Sequence, residues 1–98
     1  MKTTINEFPP VAPKAETWPQ LWASRDVRNH RIYGVVLLNE DGSAVKIASA
    51  PGWDVVKPIG HMWPEFHLNT SRVFSTEAYP EKRRWVRLTS PISITFSP

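Results

Sequence analysis

Between residues 82 and 88 the chain reads Lys-Arg-Arg-Trp-Val-Arg-Leu, four cations grouped around one indole. Guanidinium groups match carboxylate and phosphate geometry, and an exposed indole offers a stacking face. If the segment is a strand with Val86 and Leu88 turned to the core, the pleat places Arg83, Trp85 and Arg87 together on the opposite face, with Lys82 and Arg84 alongside. A protein with an acidic surface is the expected partner, since tryptophan, tyrosine and arginine are the types enriched at interface hot spots. Nucleic acid is the alternative, through phosphate pairing and base stacking. The competing structural explanation is a buried Trp85 with the arginines lying over it. Arg25, Arg28 and Arg31 form a secondary basic patch.

Charge distribution supports an anionic partner. The formal net charge is only +3, yet residues 82–98 carry four bases and no acid, while residues 1–81 hold the other eight bases against all nine acids. Such an uneven field steers negatively charged partners toward one end of the chain. No zinc finger, KH-type loop or RRM-type aromatic signature accompanies it, so protein is favoured over nucleic acid.

Two other constellations could carry chemistry. His61, Glu65 and His67 supply two imidazoles and a carboxylate, the donor set of a facial metal site. In an extended strand they share a face, but His61 and Glu65 would stand roughly 13 Å apart, and Pro64 opposes the helix that would gather them. No metal and no cofactor is therefore expected. The five tryptophans offer small-ligand stacking as a further alternative, with Trp53 and Trp63 beside proline- and glycine-containing loops. Catalysis is not expected. Ser71, Ser75 and Ser90 lack a nucleophile-elbow setting, and the four glycines are isolated rather than grouped in a phosphate loop.

The absence of cysteine excludes disulfides and thiolate chemistry. There is no signal-like apolar run at the N-terminus, and no stretch approaches the ~18–20 apolar residues of a membrane helix. A cytoplasmic location without a membrane partner is expected; the sequence does not fix an oligomeric state.

The elements that must position these groups follow from length and pattern. Ninety-eight residues make one domain. Residues 1–16, with Pro9, Pro10 and Pro13, read as an extended arm leading into a single domain over residues 17–98. Thr17 and Gln20 suit a capping box, and Trp18, Leu21 and Trp22 fall at i, i+3, i+4, which predicts a short helix ending near residues 25–29.

From residue 32 the pattern turns to strands. A run over 32–38 and a half-buried strand over 44–48 flank the turn Asn39-Glu40-Asp41-Gly42, forming a hairpin. Further strands are expected near 53–57, from Phe66 to Leu68, over 72–75, 84–88 and 92–96, with one helical turn over 77–79. In the last strand Ile92, Ile94 and Phe96 alternate with Ser93 and Thr95. The predicted fold is mainly β: a compact, curled antiparallel sheet or small barrel of five to six strands with one short N-terminal helix. A domain of this kind, without catalytic groups, is expected to act stoichiometrically on a protein, as an accessory, adaptor or inhibitor of the type carried by mobile genetic elements.

Overall fold

Short β-branched runs punctuated by turn residues give strands throughout. The computed structural model describes residues 2–8, 17–53, 57–89 and 92–97, and among these there is no helix. Seven strands follow in chain order: β1 (Lys2–Glu7), β2 (Gln20–Asp26), β3 (Ile32–Leu38), β4 (Ala44–Ser49), β5 (Met62–Trp63), β6 (Arg83–Arg87) and β7 (Ile92–Ser97). They form an antiparallel five-stranded sheet in the order β5-β4-β3-β2-β6 and a separate antiparallel ribbon of β1 and β7. The large sheet is open, with β5 and β6 at its edges, so the barrel alternative is not realised.

The expected hairpin is present. β3 and β4 pair around a turn in which Gly42 adopts φ 92°, a left-handed conformation that glycine takes without steric cost. Asp41 fixes the turn by accepting from the Ser43 N–H (2.9 Å) and hydroxyl (2.6 Å).

The expected N-terminal helix is replaced by β2. Its apolar spacing fits either element, and tertiary pairing decides between them: β2 hydrogen-bonds to β3 on one side and to β6 on the other, a central position that a helix could not fill. Phe66–Leu68 lies in irregular chain. Over 72–75 only a single bridge forms, between Phe74 and Arg83. Residues 54–56 of the strand expected near Trp53, and residues 9–16 of the proline-rich arm, lie outside the described residues.

Two bulges shape the sheet. Pairing of β2 with β3 passes from Ser24↔Gly34 to Arg25↔Ile32, leaving Tyr33 as the extra residue. Pairing of β3 with β4 passes from Val35↔Ala48 to Val36↔Lys46, leaving Ile47 extra. Each bulge bends the strand and redirects side chains. One consequence is that Tyr33 and Gly34, although adjacent, both line the same concavity.

The opposite face carries Ala23, Val35 and Ala48, paired across three neighbouring strands and each 0% exposed. These small side chains let the β1–β7 ribbon pack closely. Thr3 of the ribbon accepts from the Ser49 N–H and donates to the Ser49 carbonyl (both 2.9 Å), and Glu7 pairs with Arg25. In β7, Ile92 and Ile94 are half-buried, whereas Phe96 is exposed. Replacing Thr3 by Val, which keeps shape but cannot satisfy Ser49, is expected to lower stability by about 1–3 kcal/mol in chemical denaturation. A neutral result would mean that the ribbon is not held through this pair.

Candidate functional site

The basic strand has the reverse of its expected parity. Arg83, the first residue of β6, is only 8% exposed, while Val86 is 36% exposed and Arg84 faces solvent. The register explains why. Asp26↔Arg83, Ser24↔Trp85 and Trp22↔Arg87 are cross-strand neighbours and share one face, so Arg83, Trp85 and Arg87 do stand together. That face is covered by the chain between β4 and β6, not open to solvent. Trp85 is half-buried, edge-on to Phe66 (5.2 Å) and stacked with Phe74 (6.1 Å). Arg87 is half-buried and donates to the Thr17 hydroxyl at 3.4 Å. Lys82 and Arg84 are exposed.

The covering layer is aromatic. Tyr33, Trp53 and Tyr79 stack in sequence, with ring centroids 4.3 and 4.2 Å apart. Trp63 meets Phe66 edge-on at 5.1 Å. These groups and the sheet floor, Ser24, Gly34 and Val36 among it, enclose a cleft of about 240 Å³. Three cations line it, Lys46, Lys57 and Arg83, and no carboxylate does among the described residues.

Arg83 is the unusual member. Its guanidinium lies over Trp53 (4.7 Å), Phe74 (4.5 Å) and, further off, Tyr79 (6.0 Å). No hydrogen bond or ion pair reaches that side chain among the described residues, and its buried Nε has no partner. Burial pushes its pKa below the ordinary arginine value, against the opposing charge of Glu81. Arginine nevertheless stays charged in proteins. Cation–π contacts contribute up to about 2 kcal/mol each, set against the several kcal/mol that desolvating an ion costs. A second buried atom on the cleft, the Ser24 hydroxyl, is likewise without a partner.

Lys46 holds the covering layer down. The half-buried strand expected over 44–48 is β4, in which Ala44, Lys46 and Ala48 are buried and Val45 and Ile47 half-buried. The Lys46 ammonium donates to the carbonyls of Trp53 (2.9 Å) and Lys57 (2.8 Å), and so ties both residues to the large sheet. Asp26 anchors the other side. It accepts from the Arg28 N–H (2.7 Å), the Tyr33 hydroxyl (2.9 Å) and the Asn29 N–H (3.3 Å). The Arg28 N–H chiefly, together with Tyr33 and Asn29, lowers its pKa to about 2 against the opposing effect of burial. Tyr33 shifts upward in turn, through burial and the adjacent carboxylate.

The secondary basic patch is divided. Arg25 is engaged by Glu7 and by the His30 carbonyl. Arg28 and Arg31 are exposed, Arg28 3.6 Å from Asp26 and Arg31 over the Tyr33 ring at 5.2 Å. Among the described residues no three histidine, aspartate or glutamate side chains converge on a metal position. His61 instead packs edge-on to Trp63 at 4.6 Å, and Glu65 and His67 are exposed. No helix among the described residues is long and apolar enough to cross a membrane.

Compared with known proteins, the chain matches no family model, no curated protein and no solved structure. Sequence reasoning singled out Arg83, Trp85, Trp53 and Trp63 but not Tyr33, Lys46, Phe74 or Tyr79. No local signal marks those four, because the bulge at Tyr33 and the ring stacking that bring them together depend on long-range pairing.

Two outcomes follow. Asp26 has a depressed pKa in the folded chain, so its contribution is complete above the ordinary aspartate value near 3.8 and is lost as pH falls through about 2. Acid titration of stability should therefore fall less steeply between those values in Asp26→Asn than in the parent, and the variant should melt lower at pH 7. Because Arg83 is buried without an ion pair to a described residue, Arg83→Met should melt no lower than the parent. A pronounced loss of stability would make Arg83 a structural clamp.

Proposed function

We propose that this protein is a stoichiometric, non-catalytic binding module that recognises its partner through the aromatic cleft. One observation carries the reading: a concave, largely apolar site contains a buried guanidinium that no described residue engages by a hydrogen bond or ion pair. Folded chains keep incompletely compensated polar groups where function requires them, since a well-packed apolar replacement would otherwise serve as well. A concave apolar site with a few convergent polar groups is the usual form of a ligand or side-chain pocket. An accessory or inhibitory role in the cytoplasm, as for small proteins of mobile genetic elements, agrees with this reading.

A second reading has its own support. Val27 of the β2–β3 turn donates its N–H to the Lys82 carbonyl at 3.0 Å, and Arg25 stands across from Arg84 in the sheet register. The exposed cations Arg28, Lys82 and Arg84 therefore belong to one end of the large sheet. An acidic protein surface or nucleic acid would suit that end.

Capture from the native cell with two variants separates the readings. Trp53→Ala opens the cleft wall, and Arg84→Glu reverses charge at the basic end without touching the cleft. Under the cleft reading, species retained by the parent are lost with Trp53→Ala, provided circular dichroism shows it folded, and kept with Arg84→Glu. Loss with Arg84→Glu alone would move recognition to the basic end, and salt-sensitive retention of nucleic acid would identify that partner class.

A further inference from the structure

Resting on the cleft as the recognition site, we propose that it binds a small planar carboxylate, with the ring against the aromatic faces and the carboxylate on the Arg83 guanidinium. Four features define this ligand class. The first is size. A cavity of 150 Å³ accommodates benzene, and about 240 Å³ leaves room for one ring and a carboxylate. The second is surface. Tyr33, Trp53 and Tyr79 stack on one another, which takes up the faces of Trp53, and Trp63 and Trp85 also line the cleft, so a flat π-system meets the remaining ring faces and edges.

Charge is the third. Arg83, Lys46 and Lys57 line the cleft, and three cations oppose an ammonium ligand in what would otherwise resemble an aromatic cage. Glu81 is close enough to influence Arg83 electrostatically but makes no ion pair with it. The fourth is the Arg83 guanidinium itself, which lines the cleft on a residue more than nine-tenths buried and makes no hydrogen bond or ion pair with a described residue. A carboxylate supplies two acceptor oxygens, which match the fork of a guanidinium. Inorganic phosphate would satisfy the charge but leave the aromatic walls without an apolar partner.

Benzoate is the direct probe. The five tryptophan indole N–H signals of the isotope-labelled protein report its position, because Trp53, Trp63 and Trp85 line the cleft while Trp22 is tied to Gln20 (3.0 Å) away from it. Benzoate should shift the three cleft indoles saturably, leave Trp22 and Trp18 in place and raise the melting temperature. Benzyl alcohol, benzylamine and inorganic phosphate should each bind at least about tenfold more weakly.

Two variants complete the test. Arg83→Met should lower benzoate affinity by about tenfold or more, the loss of a charge-assisted pair. Gly34→Ala adds to the cleft floor without removing a cation; its Cβ would stand 3.6 Å from Lys46 Cε, an ordinary contact, and benzoate binding should weaken. Equal affinity for benzoate and benzyl alcohol, or benzoate binding unchanged in Arg83→Met, overturns the carboxylate assignment. No shift of the cleft indoles by benzoate at millimolar concentration overturns it as well. In either case the cleft remains the recognition site if Trp53→Ala still loses the captured species, so the two failures are distinguishable.

Discussion

A guanidinium enclosed by three aromatic rings, with no ion pair to a described residue, is an expensive arrangement for a domain of 98 residues. Small cores have little stability in reserve, and an unpaired buried charge uses a large share of it. Arg83 is nevertheless firmly placed. Its backbone is paired on both sides, with Phe74 through two hydrogen bonds (2.9 and 3.0 Å) and with Asp26 across the sheet register, so its side chain projects onto the concave face. There the rings of Trp53 and Phe74 meet the cation from the two strand-crossing segments of the covering layer. The geometry of the cleft is thus set by backbone pairing and stacking, and not by neutralising the charge it contains.

Support for that geometry comes from two polar anchors buried in the large sheet. Asp26 closes the β2–β3 turn and holds the hydroxyl of Tyr33, the bulged residue on which the Trp53–Tyr79 stack is built. Lys46 crosses to the carbonyls at Trp53 and Lys57. Buried polar groups are tolerated when hydrogen-bonded, and both anchors are. Arg83 differs from them in this respect, and the contrast is why the same face reads as a scaffold at Asp26 and Lys46 and as a recognition surface at Arg83.

Much of this organisation was legible in the amino-acid order. The β3–β4 hairpin followed from two apolar runs around Asn39-Glu40-Asp41-Gly42, and the β-rich class from the short runs that succeed it. The strand nature of β6 and the grouping of Arg83, Trp85 and Arg87 on one face also followed from pattern alone. Which face they occupy did not. Val86 and Leu88 suggest an inward side on hydrophobicity, but β6 is an edge strand whose other face receives a separate aromatic layer, and residues 53 to 79 announce that layer only as scattered rings. At β2, the spacing of Trp18, Leu21 and Trp22 suits a helix as well as a strand, and pairing with β3 and β6 decides it. β1 is hidden for a different reason: Lys2-Thr3-Thr4-Ile5-Asn6-Glu7 has a single apolar residue, and its place is set by Thr3, Glu7 and the register with β7.

The state of the Arg83 guanidinium in the unliganded protein is the most direct measurement. Its Nε–H can be followed by nitrogen–proton correlation spectroscopy, with Arg84 as the exposed comparison on the same strand. An unpartnered but buried group should exchange with solvent far more slowly than Arg84 and yet lack the downfield proton shift of a hydrogen bond to a carboxylate. A downfield, carboxylate-bonded signal that disappears in Glu81→Gln, or exchange as fast as that of Arg84, would show that the charge is already neutralised or already in water, and the cleft would have no vacancy for an anion.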